Sequence, residues 1–287
     1  MLVEFSKILN DAYEGHYAVG AFNCLSVEHV MGAIRAAEEL RSPIILQLAE
    51  VQFPCAPIEM MAPVYLEAAA KATVPVAVHL DHGQSLETCV KAIKLGFNSV
   101  MFDGANLPFA ENVSQTAQIV RIARAAGVDV EAELGKVGDT GFGGEGIGEA
   151  TPDVFTDVEE SADFIEKTGV DALAIAIGNL HGRYVATPKL NIDRLKEIAL
   201  RNNLPLVLHG GSGTSEEDFK SCIHNGISKI NVATALQMAV TDAVRKYVTE
   251  CPGANYIDMK EVITAATCES VKQHILLFES DGKALRI

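Results

Sequence analysis

The feature that most constrains this chain is a repeated alternation. Eight short apolar runs rich in β-branched residues, each followed by polar or turn residues, are separated by segments with helical period. The runs are Tyr17–Phe22, Pro43–Leu48, Val74–Leu80, Ser99–Phe102, Val128–Leu134, Ala172–Ile177, Pro205–Leu208 and Lys229–Val232. Between them, Val27–Leu40 places Val30, Ala33, Ile34 and Ala37 on one helical face, and Asn112–Ala126 and Val158–Thr168 have the same character. Stop or turn signals precede three runs: Arg41-Ser42-Pro43, Ala72-Thr73-Val74-Pro75 and Asn202-Asn203-Leu204-Pro205. Strand and helix in strict alternation imply a parallel sheet. Eight such units favour closure into a barrel over an open doubly wound sheet, and no GxGxxG follows the first run. The expected fold is α/β, a (β/α)8 TIM barrel forming a single domain over residues 1–287. Ala235–Ile287 is read as extra C-terminal helices, long enough to close the barrel and pack on a partner subunit. The chain has 287 residues, 48% of them hydrophobic, and no Trp. An aliphatic core of this kind suits strands buried on both faces.

The formal net charge of -15 repels nucleic acid and anionic membranes, so neither is an expected partner. An anionic small molecule remains compatible, because donors in a pocket act at short range. The six cysteines show no CxxC pair or framework spacing, which points to reduced thiols and a cytoplasmic protein. The first residues do not read as a signal peptide, and no apolar run reaches the ~18 residues of a membrane span.

In such barrels chemistry sits at the C-terminal ends of the strands. Those positions here hold Asn23, Asp81-His82-Gly83, Asp103-Gly104, Gly178-Asn179-Leu180-His181-Gly182, His209-Gly210-Gly211-Ser212-Gly213 and Asn231–Thr234, and strand 5 carries Glu131 and Glu133. One histidine after a strand is usually structural. Three His-Gly pairs among eight histidines, at three different strand ends, point instead to convergence of His82, His181 and His209 on one rim. Three imidazoles with an open fourth position describe a catalytic zinc site. The glycine loop after strand 7 and the segment after strand 8 stand where barrels often bind phosphate, with Ser212 and Thr234 adding hydroxyls. Ser215, followed by Glu216, Glu217 and Asp218, reads as a helix cap. The remaining histidines, His16, His29, His79, His224 and His274, read as structural or surface residues.

These motifs resemble the class II fructose-bisphosphate and tagatose-bisphosphate aldolases. The similarity rests on His79-Leu80-Asp81-His82-Gly83, Met101-Phe102-Asp103-Gly104, Glu131-Ala132-Glu133-Leu134-Gly135, Ala176-Ile177-Gly178 with His181-Gly182, Leu208-His209-Gly210-Gly211-Ser212-Gly213, and Lys229-Ile230-Asn231-Val232-Ala233-Thr234, in family order along the whole chain. The resemblance implies reversible cleavage of a ketose 1-phosphate or ketose 1,6-bisphosphate to dihydroxyacetone phosphate and an aldehyde. It implies Zn2+ on His82, His181 and His209, and Asp81 exchanging the proton of the hydroxyl at the cleaved bond. Asp103 and Glu133 would orient ligands or hold the metal in a second position. Asn23, Gly182, Gly210, Gly211, Ser212, Asn231 and Thr234 would bind substrate, with a monovalent cation, Na+ or K+, near the phosphate. The sugar-phosphate partner would be served by a homodimer or homotetramer.

The sequence departs from the family in the loop after strand 5, where a second acid would protonate the enediolate carbon. Glu145 in Gly143-Gly144-Glu145 is the best candidate, with Asp139 and Glu149 as alternatives. Ala49 and Ala105 stand where family members often carry Ser, and Asn179-Leu180 replaces Thr-Ala. Loss of those hydroxyls suggests an aldehyde half other than glyceraldehyde 3-phosphate, neutral or carboxylated, with Arg183 or Arg286 as contacts. Two other readings compete: a metal-dependent hydrolase or epimerase acting on a sugar phosphate, and a non-catalytic metabolite-binding barrel. The first would more often show an early His-x-His, which Phe22-Asn23-Cys24 lacks; the second does not explain Asp81 beside a histidine trio.

Overall fold

The computed structural model describes residues 1–137, 155–180, 189–211 and 213–284. Eight parallel strands close in chain order, and the last pairs back onto the first. They are β1 (Val19–Asn23), β2 (Ile44–Ala49), β3 (Val76–Gly83), β4 (Ser99–Phe102), β5 (Asp129–Leu134), β6 (Ala172–Ile175), β7 (Leu206–Leu208) and β8 (Ile227–Val232). The helices among the described residues are α1 (Phe5–Gly15), α2 (Val27–Leu40), α3 (Ile58–Lys71), α4 (Leu86–Lys94), α5 (Phe109–Ala125), α6 (Val158–Thr168), α7 (Ile192–Arg201), α8 (Glu216–His224), α9 (Thr234–Glu250) and α10 (Tyr256–Leu277). The fold is therefore the expected (β/α)8 barrel. β4, α2 and α6 have the expected bounds, and the other strands shift by a few residues at their ends. The largest change is at β3, which runs beyond Leu80 to Gly83.

Local chemistry starts the helices where the barrel needs them. Ser26, Ser85, Asp157, Asn191, Ser215 and Asn255 each accept an amide N–H of the first turn with the side chain. The expected cap at Ser215 accepts from the Asp218 amide at 3.1 Å. The expected C-terminal helices are α9 and α10. The latter lies on α2, where Lys260 pairs with Glu28 and Lys272 with Glu39.

Strand alternation divides the core in two. Phe22, Leu46, Val78, Leu80, Val100, Val130, Leu173, Leu208 and Ile230 face outward and pack under the helices. Val19, Ala21, Ile45, Ala77, Ala172, Ala174 and Val207 face inward and meet Phe5, Ile8, Leu9 and Ala12 of α1, which plugs the N-terminal end of the barrel. The inward alanines leave room for three large polar side chains, His79, Glu131 and Lys229, all excluded from solvent. Phe5 stacks on the His79 ring, with centroids 4.9 Å apart and planes 3° from parallel. The plug thus keeps water from the buried charges as well as filling space.

Phe5→Ala is expected to destabilise the protein by about 3–5 kcal/mol, since it opens a cavity that the rigid barrel wall cannot close. A urea midpoint unchanged from the parent would contradict this role for α1.

Candidate active site

Asp81 and His82 are adjacent in sequence, so a regular strand would send their side chains to opposite faces. β3 avoids this with a bulge. Leu80 pairs with Val100 and Gly83 with Phe102, so one extra residue stands on β3. His82 takes up the change with φ 43°, in the left-handed region. Gly83 makes it possible: a Cβ there would lie 2.7 Å from the Met101 carbonyl oxygen and 2.9 Å from a Leu80 methyl. Asp81 and His82 both reach the barrel mouth as a result.

Three further strand ends deliver groups to them. Asp103, after β4, brings Oδ2 to 2.9 Å from His82 Nδ1. His209, after β7, sets its ring edge-on to His82 with centroids 4.6 Å apart. On β5, Glu131 Oε1 lies 2.9 Å from His209 Nε2, and Glu133 Oε2 lies 3.3 Å from His209 Nδ1. Ligand atoms of Asp81, His82 and His209 lie within 4.8 Å of one another, as do those of His82, Asp103 and Glu133. The two groups share His82, so they are neighbouring positions rather than separate sites. Imidazole nitrogens and carboxylate oxygens gathered at low exposure form a donor set that fits zinc.

Neutral amides surround the Asp81 carboxylate. Asn23 Nδ2 donates to Oδ2 at 3.0 Å, Gln47 Nε2 to the same oxygen at 3.3 Å, and Asn231 Nδ2 to Oδ1 at 3.0 Å. Gln47 Nε2 also donates to Asn23 Oδ1 at 2.8 Å, and Asn23 Nδ2 to Gln52 Oε1 at 3.1 Å. Gln52, from the 3-10 turn Glu50–Gln52 after β2, also accepts the Ala49 amide at 3.1 Å.

Burial alone would raise the Asp81 carboxyl, but the positive charge of His82, then of Lys229 and His209, holds it well below the usual range. Burial would lower His82; Asp81 and Asp103 outweigh it and push it up to about 10. Asp103, raised by burial but bonded to His82, falls to about 2. His209 moves up against its burial because Glu131 and Glu133 flank it. Glu133 moves up, through burial first and then the charge of Asp103. Without metal the cluster therefore keeps its positive charge on imidazoles.

The structure brings Asn23, Asp81, His82, Asp103, Glu133, His209 and Asn231 to one mouth. Gly210, with φ 67°, and Gly211 follow β7 beside them, and Thr234 opens α9. The side chain of Asn231 turns to Asp81 and Lys229, not outward. His181, Gly182, Arg183, Ser212, Arg286 and the loop acids Glu145, Asp139 and Glu149 lie outside the described residues.

Sequence reasoning gave Gln47, Gln52, Lys229 and Asn179 no role, and it took His79 only as structural. A signal was present: a lysine within a buried strand, two residues before Asn231, needs a partner. Asn179 was read only as a departure. Its side chain donates to the His209 carbonyl at 3.0 Å, tying the loop after β6 to β7.

The family model described as Fructose-bisphosphate aldolase class-II matches residues 3–283. The fructose-bisphosphate aldolase of Geobacillus stearothermophilus is 40% identical, over 99% of both chains. That of Staphylococcus aureus strain Mu50 is 42% identical over 85% of each. The crystal structure of the YdjI aldolase from Escherichia coli K12 superposes with TM-score 0.90 at 37% identity, covering 99% of this chain and 100% of that one.

The shifts give the metal-free protein a defined pH response. His82, raised from 6.5 to about 10, contributes stability that is complete below pH 6.5 and is lost as pH climbs through about 10. Asp103, lowered from 3.8 to about 2, contributes stability that is present above pH 3.8 and is lost as pH falls through about 2. Thermal unfolding of chelator-treated protein should therefore weaken on both sides of a mildly acidic plateau. In His82→Asn the alkaline loss should shrink; equal alkaline loss in both proteins would contradict the assignment.

Proposed function

This chain belongs to the class II fructose-bisphosphate aldolase family and is a carbon-carbon lyase; from that premise we propose that it is zinc-dependent and cleaves a ketose 1-phosphate to dihydroxyacetone phosphate and an aldehyde. The observation that carries the reading is the convergence of Asp81, His82 and His209, with Asp103 and Glu133 adjoining. His82 and His209, joined by His181, would hold the zinc. Bound there, the metal supplies a Lewis acid that polarises the substrate carbonyl and takes up charge as the bond breaks.

The chain's own residues account for the rest. Asp81 is ionised and lies at the metal group, so it can accept the proton of the hydroxyl on the carbon being released. Its amide donors fix the carboxylate in place without supplying a formal charge that would quench its basicity. The glycines after β7 and the first turn of α9 stand at the same mouth, where a helix N-terminus favours a phosphate. Gly182, Gly210, Gly211, Ser212, Asn231 and Thr234 are the proposed contacts of the dihydroxyacetone phosphate half, with Na+ or K+ beside the phosphate. Glu145, or Asp139 or Glu149, would return a proton to the carbon.

The aldehyde half is proposed to lack a phosphate. Ala49 and Ala105 offer no hydroxyl at the ends of β2 and β4. The Ala49 amide is already used by Gln52, and the Ala105 amide by Asp103 at 3.2 Å. We read the whole chain as one domain of a homodimer or homotetramer. Exposed Met238, Val248, Tyr256, Ile257 and Leu276 on α9 and α10 support that reading. Six free cysteines are in keeping with the cytoplasm. Among the described residues, no helix is long and apolar enough to cross a membrane.

Release of dihydroxyacetone phosphate from ketose 1-phosphates is expected to vanish on chelation and return with zinc. Asp81→Asn should lower kcat by about 10²–10⁴-fold while the protein stays folded. Near-parent turnover in that variant would exclude Asp81 as the base. A strong preference for fructose 1,6-bisphosphate over ketose 1-phosphates would overturn the proposed aldehyde half. Zinc must displace the proton that His82 retains up to about pH 10, so affinity for zinc should rise about tenfold per pH unit between pH 6.5 and 8.5 for each proton released. A pH-independent affinity would mean that His82 is not a ligand.

A further inference from the structure

A lysine with no access to water stands inside the barrel, below the site. Lys229 is carried by β8 and faces inward, one step below Asn231. Its Nζ lies 2.9 Å from Glu131 Oε2 and 3.2 Å from Oε1, and it donates to Asn231 Oδ1 at 2.7 Å. Both partners lead upward to the chemistry. Glu131 Oε1 meets His209 Nε2 at 2.9 Å, and Asn231 Nδ2 donates to Asp81 Oδ1 at 3.0 Å.

We infer that Lys229 is a positioning residue that sets two orientations at once: the ring of His209 and the side-chain amide of Asn231. The inference rests on the zinc reading of this site. Glu131 held as a carboxylate by Lys229 has only acceptor oxygens, so the proton of the His209 ring must stand on Nε2. Nδ1 is then the nitrogen that carries the lone pair, and it lies on the side of Glu133, whose Oε2 is 3.3 Å away and which belongs to the adjoining group of candidate ligands. A ligand histidine gains affinity from this arrangement, since its ring is already turned and its tautomer already chosen. The second effect follows from one bond. An asparagine amide can face either way, but the ammonium of Lys229 accepts nothing, so the oxygen of Asn231 must turn to it. The NH2 end is then presented to Asp81, which needs a donor there.

Among the described residues, His79 does not take Glu131 from Lys229. His79, the other large group beside Glu131, bonds through Nδ1 to Ser99 Oγ at 2.9 Å, and its Nε2 is 3.6 Å from Glu131 Oε2. Burial, then the charge of Lys229, lowers its pKa to about 3, so it is neutral and does not compete for the carboxylate charge. A buried Lys–Glu pair that only filled space could be exchanged as a pair for uncharged side chains without effect above it. Lys229 connects, through one intervening side chain each, to a proposed metal ligand by way of Glu131 and to the proposed base by way of Asn231.

The test uses full-length protein and zinc alone as the probe, with affinity read by chelator competition at one pH. Lys229→Met is expected to weaken zinc binding by about 10–100-fold. That variant strands the Glu131 charge and can fail to fold, so the pair K229M/E131Q is made beside it. The double variant removes both charges and keeps an amide at position 131. It should fold, with thermal unfolding near the parent, yet still bind zinc at least about tenfold more weakly, because an amide without Lys229 can present either end to His209. A folded double variant with parental zinc affinity would overturn the inference. The unmodified protein supplies a readout that needs no variant. Nitrogen-15 NMR of labelled histidines in the zinc-loaded state should show His209 protonated on Nε2, and a proton on Nδ1 would equally overturn it. Failure of the parent protein to bind zinc would instead count against the proposed function and leave the pair K229M/E131Q without a premise, so the two failures are distinguishable.

Discussion

Lys229 and Glu131 meet at 2.9 Å inside a closed barrel, and the rest of the molecule is arranged to tolerate them. Each charge taken from water costs several kcal/mol after relaxation, and only close pairing with further hydrogen bonds offsets it. The sequence supplies the conditions. Ala21, Ala77, Ala172 and Ala174 leave the interior volume that the long side chains fill. Phe5 covers His79 from below and excludes water from the N-terminal end. Above, Asn231 and His209 take the hydrogen bonds that would otherwise go unmade. A buried ion pair is weak evidence for stability, and breaking one is strongly destabilising. The chemistry above it explains better why a barrel of otherwise aliphatic strands carries such a pair.

The architecture was legible in the sequence because it rests on local signals. Each strand is a short apolar run, each helix has its periodic face, and the order of eight such units leaves few ways to close. The strand-end residues were legible for the same reason: once the strands are placed, their ends define the mouth. Asp81, His82, Asp103, Glu133 and His209 converge as that logic requires. What escaped was the β3 bulge, because an extra residue on one strand is defined only against its partner. Alternation applied to residues 81 and 82 would have separated them. Lys229 and Glu131 escaped for a related reason. Their pairing joins positions 98 residues apart, and no local pattern reports a contact across the barrel. Gln52 is a third case, since its role depends on how a single turn after β2 folds back over Asn23.

The global charge and the local site point in opposite directions, and distance resolves the difference. The net charge of -15 is a sum over the whole chain, and solvent and salt screen its exposed charges within about 10 Å. At the mouth, the groups proposed to meet a substrate are the glycine turn after β7, the first turn of α9 and two imidazoles. These act over a hydrogen-bond length. An acidic protein can therefore bind an anionic sugar phosphate. The acidic exterior also disfavours the large polyanions that would compete for the same amides.

The setting of Asp81 shows why its donors are amides. A guanidinium on this carboxylate would hold it in place but stabilise the anion so strongly that it could no longer accept a proton. Asn23, Gln47 and Asn231 hold both oxygens with dipoles instead. Among the described residues, His82, with Nε2 at 3.9 Å from Oδ1, and the deeper Lys229 and His209 bring positive charge near. In the metal-free state the His82 proton is therefore the main reason the carboxyl is so acidic. That proton must leave when His82 becomes a ligand, and the acidity of Asp81 is then set by whatever charge replaces it at the same position. The proposed base and the proposed metal site are coupled through one imidazole. The bulge that places residues 81 and 82 side by side makes this coupling unavoidable.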